Sequence, residues 1–460
     1  MNTTVVDELF SRGVAQFVDP DGSFRKKIEG KINGTYTGEI LIKLGVDPTR
    51  PDIHLGHAVA LRKLRAFQDI GCKVIFLVGD YTAQIGDPTG KSKVRPEISQ
   101  QEIEVNMKTY LDQIGKILKV EPDVFSWIRN SDWFTNVTDI LTPEGVKSVS
   151  ISTPEGELKI PSTDFIAKAA VFDKTRMQIT HLNKGKAYVV SLTRVLSVLR
   201  HITHARLIER DMFQDRLNGG GELYMHEMLY PVLQGIDSSV LANIYGSCDM
   251  EIGGTDQTFN MLIGRDVMKM SKQPEQAVMS VDILEGLDGK EKMSKSLDNY
   301  ISIADDAKNM YGKVMSLPDS LISRYFLLCT YTSKEDVLDI QNKLTSGKLH
   351  PKEAKMRLGR EIVAIYHGDA LAKEAEEAFV STFSKGEIPE DVEEVAYAEG
   401  RMLLDVLAEK GVVSSKTEAR RLFEQGAVTH LEDDIKIEDQ KTEAKKGTYR
   451  IGKHRFIKIV

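Results

Sequence analysis

Between residues 39 and 78 the hydrophobic period of the chain changes twice, and this segment restricts the fold more than any other. Residues 39–46 (EILIKLGV) read as a short buried strand, broken by Asp47-Pro48 and a polar Thr49-Arg50-Pro51 turn. From His54 onward Leu55, Ala58, Leu61, Leu64 and Phe67 recur at helical spacing until Gly71, a C-terminal stop. Residues 73–78 then form a continuous apolar run, the signature of a strand covered on both faces in a parallel sheet. Strand, helix and strand in one short stretch make a βαβ unit. The expected fold is therefore α/β, a Rossmann-like doubly wound parallel sheet.

Beyond residue 98 the pattern is mostly helical, apart from 140–160, where Pro143, Pro154 and alternating Val, Ser, Ile and Thr predict a small hairpin. Helices are expected at about 192–213, and another after the glycines 219–221, ending near Gly235. A short strand at 250–252 runs into Gly253, Gly254 and Thr255. Residues 303–383 are rich in helical pattern and are followed by an acidic stretch, 387–399. The 460 residues are enough for about three domains, and no internal repeat is visible.

Composition excludes several classes. Hydrophobic residues at 41% and charged residues at 28% rule out disordered and fibrous chains. No apolar run reaches the roughly 18 residues of a membrane helix. Asp7 and Glu8 stand where a basic, apolar leader would be, so no targeting segment is expected. Cys72, Cys248 and Cys329 are too far apart for a disulfide framework or a metal site, as in a reduced, cytoplasmic protein. The net charge of −7 gives no sign of nucleic acid, but residues 397–460 hold 13 Lys and Arg against 11 Asp and Glu. A basic-leaning tail behind an acidic body suits an RNA-binding appendage, and equally a plain solvated surface.

Three motifs carry chemistry. His54-Leu55-Gly56-His57 stands where the first strand hands over to the first helix, the place for a nucleotide in an open α/β sheet. Gly56 allows close approach to the backbone. Zinc binding is a competing reading of two histidines at this spacing, but no acidic or cysteine ligand stands nearby. Gly86-Asp87-Pro88-Thr89-Gly90-Lys91-Ser92 is one residue short of a P-loop between its glycines and reads as a glycine-bracketed turn after a strand. There Asp87 could meet an ammonium, and Lys91 and Arg95 anions. Lys292-Met293-Ser294-Lys295-Ser296 follows Gly286 and Gly289. Two lysines on a glycine-hinged loop suit closure over a polyphosphate, and equally a solvated loop.

The pairing of His-Leu-Gly-His with Lys-Met-Ser-Lys-Ser about 235 positions later resembles the two signature motifs of class I aminoacyl-tRNA synthetases. Asp47-Pro-Thr, GDPTGK at 86–91, YPVLQGID at 230–237 and GGTDQ at 253–257 are similar to the bacterial-type tyrosyl-tRNA synthetases. GVVSSKTEARRL at 411–422 and RIGK at 450–453 resemble their terminal RNA-binding domain, which is shared with a small-subunit ribosomal protein. The resemblance implies an N-terminal helical extension (1–35), a Rossmann-like catalytic domain (36–303) with an insertion near 136–190, and a helical anticodon-recognition domain (304–386). An acidic linker (387–396) and the C-terminal RNA-binding domain (397–460) follow.

It also implies roles. His54, His57, Lys292 and Lys295 would be catalytic, and Gly56, Gly254 and Asp256 would join the two lysines in binding ATP. Asp87, Tyr230 and Gln234 would hold the amino group of tyrosine, Asp237 its phenol, with Gln257 beside them. Lys416, Arg420, Arg421 and Lys453 would meet tRNA(Tyr). No resident metal is implied, only magnesium arriving with ATP, and a homodimer. Two positions depart from the commoner pattern: Lys43 stands where many members carry a phenol-contacting tyrosine, though a bacterial branch has lysine, and Ala60 replaces a threonine near the ATP ribose. Tyr230, Gln234 and Asp237 fall on one helical face, so the polar stripe should line a pocket.

Overall fold

The structure, a computed structural model, describes residues 3–88, 98–134, 139–140, 148–153, 156–161, 168–169, 190, 192–208, 211–384, 392, 394–396, 400–413, 415–433, 435–452 and 455–460. It divides into two compact units, Met1–Ala304 with Ser323–Asp339, and Asp305–Ile322 with Ile340–Val460.

The first unit is built on a six-stranded sheet. Its elements in chain order are α1 (Thr3–Ser11), β1 (Val14–Val18), α2 (Ser23–Ile32), β2 (Leu41–Val46), α3 (Leu55–Asp69), β3 (Lys73–Val78) and α4 (Asp80–Ile85). After them come α5 (Gln100–Lys108), α6 (Tyr110–Ile114), β4 (Phe125–Arg129), α7 (Met225–Tyr245), β5 (Met250–Gly254), α8 (Thr258–Met270) and β6 (Ala277–Val281). The strand order is β1-β6-β5-β2-β3-β4, with every pair parallel except β1 on β6. The predicted βαβ unit is β2-α3-β3. The chain leaves β2 toward β3 on one side and places β5 on the other, so the topological switch lies between β2 and β5. In such sheets ligands bind at the strand carboxyl ends beside the switch.

One face of the sheet packs on α7 and α8 through Leu41, Ile75, Leu77, Ile128, Val232 and Ile263, among others. On α3, Ala58, Leu61, Leu64 and Phe67 are buried as the helical spacing requires. Phe67 meets Phe10 and Phe24 edge-on, with ring centroids 6.2 and 6.0 Å away.

Several expectations need correction. The N-terminal extension is not wholly helical, because β1 pairs antiparallel with β6 at the sheet edge. The strand β4 interrupts the helical stretch after residue 98. The turn at Gly86 follows the helix α4 and not a strand. Nor does α7 end near Gly235: it runs to Tyr245, and Gly235 lies at the crossing with α8. A Cβ there would sit 3.0 Å from Val267 Cγ2 and 3.2 Å from Ile263 Cγ2. The hairpin expected in 140–160 is Ser148–Thr153 paired antiparallel with Gly156–Pro161.

In the second unit, helices Ala307–Met315, Pro351–His367 and Asp369–Ser384 pack around Tyr311, whose ring lies against Gly359 and 5.5 Å from the Phe379 ring. Five short strands form a separate sheet with its own core of Leu403, Leu407, Phe423, Val428, Tyr449 and Ile457. Glu394–Val395, read in the sequence as acidic linker, is an edge strand of this sheet, parallel to Arg455–Ile459. Among the described residues no helix is long and apolar enough to cross a membrane.

Candidate active site

A cavity of about 1210 Å³ opens at the β2/β5 switch. Asp47 directly follows β2. It accepts from Thr82 Oγ1 at 2.8 Å and from the Tyr230 hydroxyl at 2.7 Å. Gly79 makes room for it, since a Cβ there would lie 2.1 Å from Asp47 Oδ1. The loop from Pro48 to Ile53 is fastened to α5 and α6. Asn106 Nδ2 donates to the Pro48 carbonyl at 2.9 Å, the Tyr110 hydroxyl to the Arg50 carbonyl at 2.7 Å, and the Ile53 N–H to Gln113 Oε1 at 2.7 Å. That loop delivers His54 to the N-cap of α3.

His54 and His57 stack with ring centroids 3.8 Å apart. The His54 N–H points at His57 Nδ1 at 3.4 Å, which leaves the proton of a neutral His57 on Nε2. Burial first, then the lysines 295 and 292, press His57 down to about 3, so the ring is a neutral donor at physiological pH. His54 is pushed well below its ordinary value by burial and by His57. Its Nδ1 is buried without a protein partner among the described residues.

The lysine loop is docked onto this helix start. Gly56 N–H donates to Met293 Sδ at 3.4 Å, the Met293 N–H to the Leu284 carbonyl at 2.8 Å, and the Ser294 N–H to Asn299 Oδ1 at 2.8 Å. Lys292 Nζ pairs with Asp256 Oδ2 at 2.9 Å. Lys295 Nζ is 3.5 Å from the Arg50 carbonyl and 6.0 Å from the Tyr110 ring centroid. Burial lowers the Lys295 ammonium to about 8. Both lysines and both histidines therefore line one cavity, with Gly56, Gly254 and Asp256 between them.

The same cavity is lined by Tyr230, Gln234 and Asp237, the polar face of α7. Asp237 is buried and already accepts from Trp133 Nε1 at 2.8 Å and from Asn130 Nδ2 at 3.3 Å. Burial pushes its carboxyl up to about 7, against the pull of Lys43 and these two donors. Gln257 Nε2 donates to Asp87 Oδ2 at 2.7 Å. The Lys43 ammonium is turned to Glu251, 2.9 Å away across the β2–β5 register.

The family model for class I tRNA synthetases (W and Y) matches residues 35–142 and 165–384, breaking off at the segment that holds the hairpin. A tyrosine–tRNA ligase of Moorella thermoacetica is 38% identical over 454 residues, covering 98% of this chain and 94% of that one. One from Thermotoga maritima is 37% identical over 425 residues, covering 92% and 90%. The chain belongs to the tyrosyl branch of the class I tRNA synthetases. The fold of the synthetase is also that of a mitochondrial tyrosyl-tRNA synthetase from Aspergillus nidulans, with a TM-score of 0.55, 20% identity, and coverage of 82% of this chain and 94% of that one. A tryptophanyl-tRNA synthetase of Plasmodium falciparum scores 0.52 at 12% identity, covering 81% and 88%. The fold alone thus does not separate the two amino acids.

Every predicted catalytic, ATP and tyrosine residue of the synthetase lines the one cavity. Lys416, Arg420 and Arg421 are elsewhere, exposed on the helix Lys416–Glu424 of the second unit, where Lys416 pairs with Asp405 at 2.8 Å. Lys453, Lys91 and Arg95 fall outside the described residues. Among the described residues no group of three or more His, Cys, Asp or Glu could hold a metal ion. The sequence reading missed Asn130 and Trp133, which follow the unrecognised strand β4, as well as Glu251 and Asn260. The available signal was a charged residue inside each of two apolar strands, Lys43 in LIKLG and Glu251 in MEIGG.

Proposed function

We propose that the protein is a tyrosine–tRNA ligase that activates L-tyrosine with ATP and then transfers it to the 3′ end of tRNA(Tyr). The observation that carries this reading is the convergence of two half-sites on one cavity. One is a polyphosphate end made by His54, His57, Lys292 and Lys295. The other is an amino-acid end made by Asp87, Tyr230, Gln234, Gln257 and Asp237.

In the first step a tyrosine carboxylate oxygen attacks the α-phosphorus of ATP. The bond to the bridging oxygen breaks, and pyrophosphate leaves with the magnesium that entered with ATP. A carboxylate is already a competent nucleophile, so the protein need only position the reactants and stabilise charge on the phosphoryl oxygens. Neutral His57, donating from Nε2, and the two lysines supply that stabilisation. Gly56 and Gly254 admit the nucleotide close to the backbone, and Asp256 serves its ribose. The tRNA terminal hydroxyl then attacks the adenylate carbonyl and releases AMP.

Asp87, Tyr230 and Gln234 take the ammonium of tyrosine, with Gln257 beside the carboxylate, and Asp237 accepts from the phenol. Lys416, Arg420, Arg421 and Lys453 are assigned to the tRNA backbone. A homodimer and a cytoplasmic place of work belong to the same reading. An ATP–pyrophosphate exchange assay with each amino acid tests it, with exchange expected for tyrosine far above phenylalanine and tryptophan. Exchange driven by tryptophan would overturn the substrate, and none with any amino acid would overturn the activity.

A further inference from the structure

The floor of the cavity holds an ion pair that the reaction just described does not use. Lys43 and Glu251 are both fully buried, neighbours on β2 and β5. Four donors fill the carboxylate. Lys43 Nζ at 2.9 Å and Gln234 Nε2 at 3.0 Å reach Oε1, while Ser238 Oγ at 3.1 Å and Gln276 Nε2 at 2.6 Å reach Oε2. Lys43 also donates to Ser238 Oγ at 3.0 Å and to the Gln234 carbonyl at 3.2 Å. A salt-bridged carboxylate can only accept, so the side chain of Gln234 must face it with its NH₂.

That choice propagates. With its NH₂ spent on Glu251, Gln234 turns Oε1 toward Asn260, whose Nδ2 donates to it at 3.0 Å. The same Asn260 Nδ2 donates to Gln257 Oε1 at 3.0 Å, and Gln257 Nε2 donates to Asp87 Oδ2. The row Glu251–Gln234–Asn260–Gln257–Asp87 is thus anchored by a carboxylate at each end, and the two glutamines are held with their carbonyl oxygens turned inward along it. A reversed Gln234 would point hydrogens at Asn260 and offer a donor where an ammonium needs an acceptor.

We propose that Glu251, charge-balanced by Lys43, is a positioning residue that sets the amide orientation of Gln234, and through it the preference of the pocket for a ligand carrying an ammonium. This rests on the reading of the cavity as a tyrosine site. It also gives Lys43 a role other than contact with the phenol.

The test compares L-tyrosine with 3-(4-hydroxyphenyl)propionate, which lacks only the amino group, by calorimetric titration of the full-length protein. Glu251→Gln nearly keeps the shape but can donate, so Gln234 is free to turn. Tyrosine should bind this variant about 10- to 100-fold more weakly, the usual worth of a hydrogen bond to a charged group. The desamino compound should bind as it does to the wild type, and the KM for ATP should not move. Because Lys43 would be left buried beside a neutral partner, Lys43→Met/Glu251→Gln is measured in parallel. It should fold, by its melting transition, and show the same loss confined to tyrosine. Equal weakening of both ligands in the double variant, or unchanged tyrosine binding in Glu251→Gln, would overturn the proposal and leave the tyrosine site standing. Failure of the wild type to bind tyrosine would overturn the substrate reading, and this proposal with it.

Discussion

Asp237 shows how far a single residue can be read. Its place on the α7 stripe was legible from i, i+4 and i+7 spacing, but its partners were not, because Trp133 and Asn130 come from a strand end more than 100 residues away. With its carboxyl held near 7, the free protein gains the ionised, better acceptor only as the pH rises through that value. The kcat/KM for tyrosine should therefore increase between pH 6 and 8, and Asp237→Asn should abolish the increase and narrow the tyrosine/phenylalanine ratio. A flat wild-type profile over that range would remove Asp237 from the phenol. Lys295 predicts the opposite slope for the other substrate. Its ammonium is lowered to about 8, so kcat/KM for ATP at saturating tyrosine should fall above that pH. Lys295→Arg stays charged and should lose the inflection, although its different shape should lower the plateau. An inflection that survives in the arginine variant belongs to another group.

At the scale of elements, legibility followed burial. Strand β3, covered on both faces, was read to the residue, and α3 to within one or two at its ends. Strand β4 was missed because an edge strand needs no continuous apolar run, and FSWIR carries Ser126 and Arg129 on its partly exposed positions. Gly235 misled for another reason. A glycine commonly stops a helix, but here its missing side chain lets α7 and α8 approach. Gly235→Ala should raise helix propensity yet crowd Val267 and Ile263, with a net loss of about 1–3 kcal/mol read from urea unfolding. A variant as stable as the wild type would mean the two helices can part without cost.

For the whole molecule, the sequence could not show that Glu394–Val395 pairs with the last strand, because two residues carry no period. A chain ended at residue 390 removes that complete sheet with its own core. It should keep pyrophosphate exchange and lose tRNA charging, and the lost binding should be the salt-sensitive part because backbone contacts dominate it. Loss of exchange as well would make the tail part of the catalytic fold. The sheet of the first unit sets a schedule of another kind. Val14 is paired with Val281, so β1, an edge strand, must wait for a partner more than 200 residues later, whereas β2 finds β3 about 30 residues on, Ile42 beside Val74. At roughly 5–20 residues per second, the wait for β6 is about 15–50 s. A nascent chain stalled before residue 277 should be cut by protease within β1, and one stalled well past 281 should resist. Within the first unit, β1 is made before any other strand of the sheet and is the last of them to be paired.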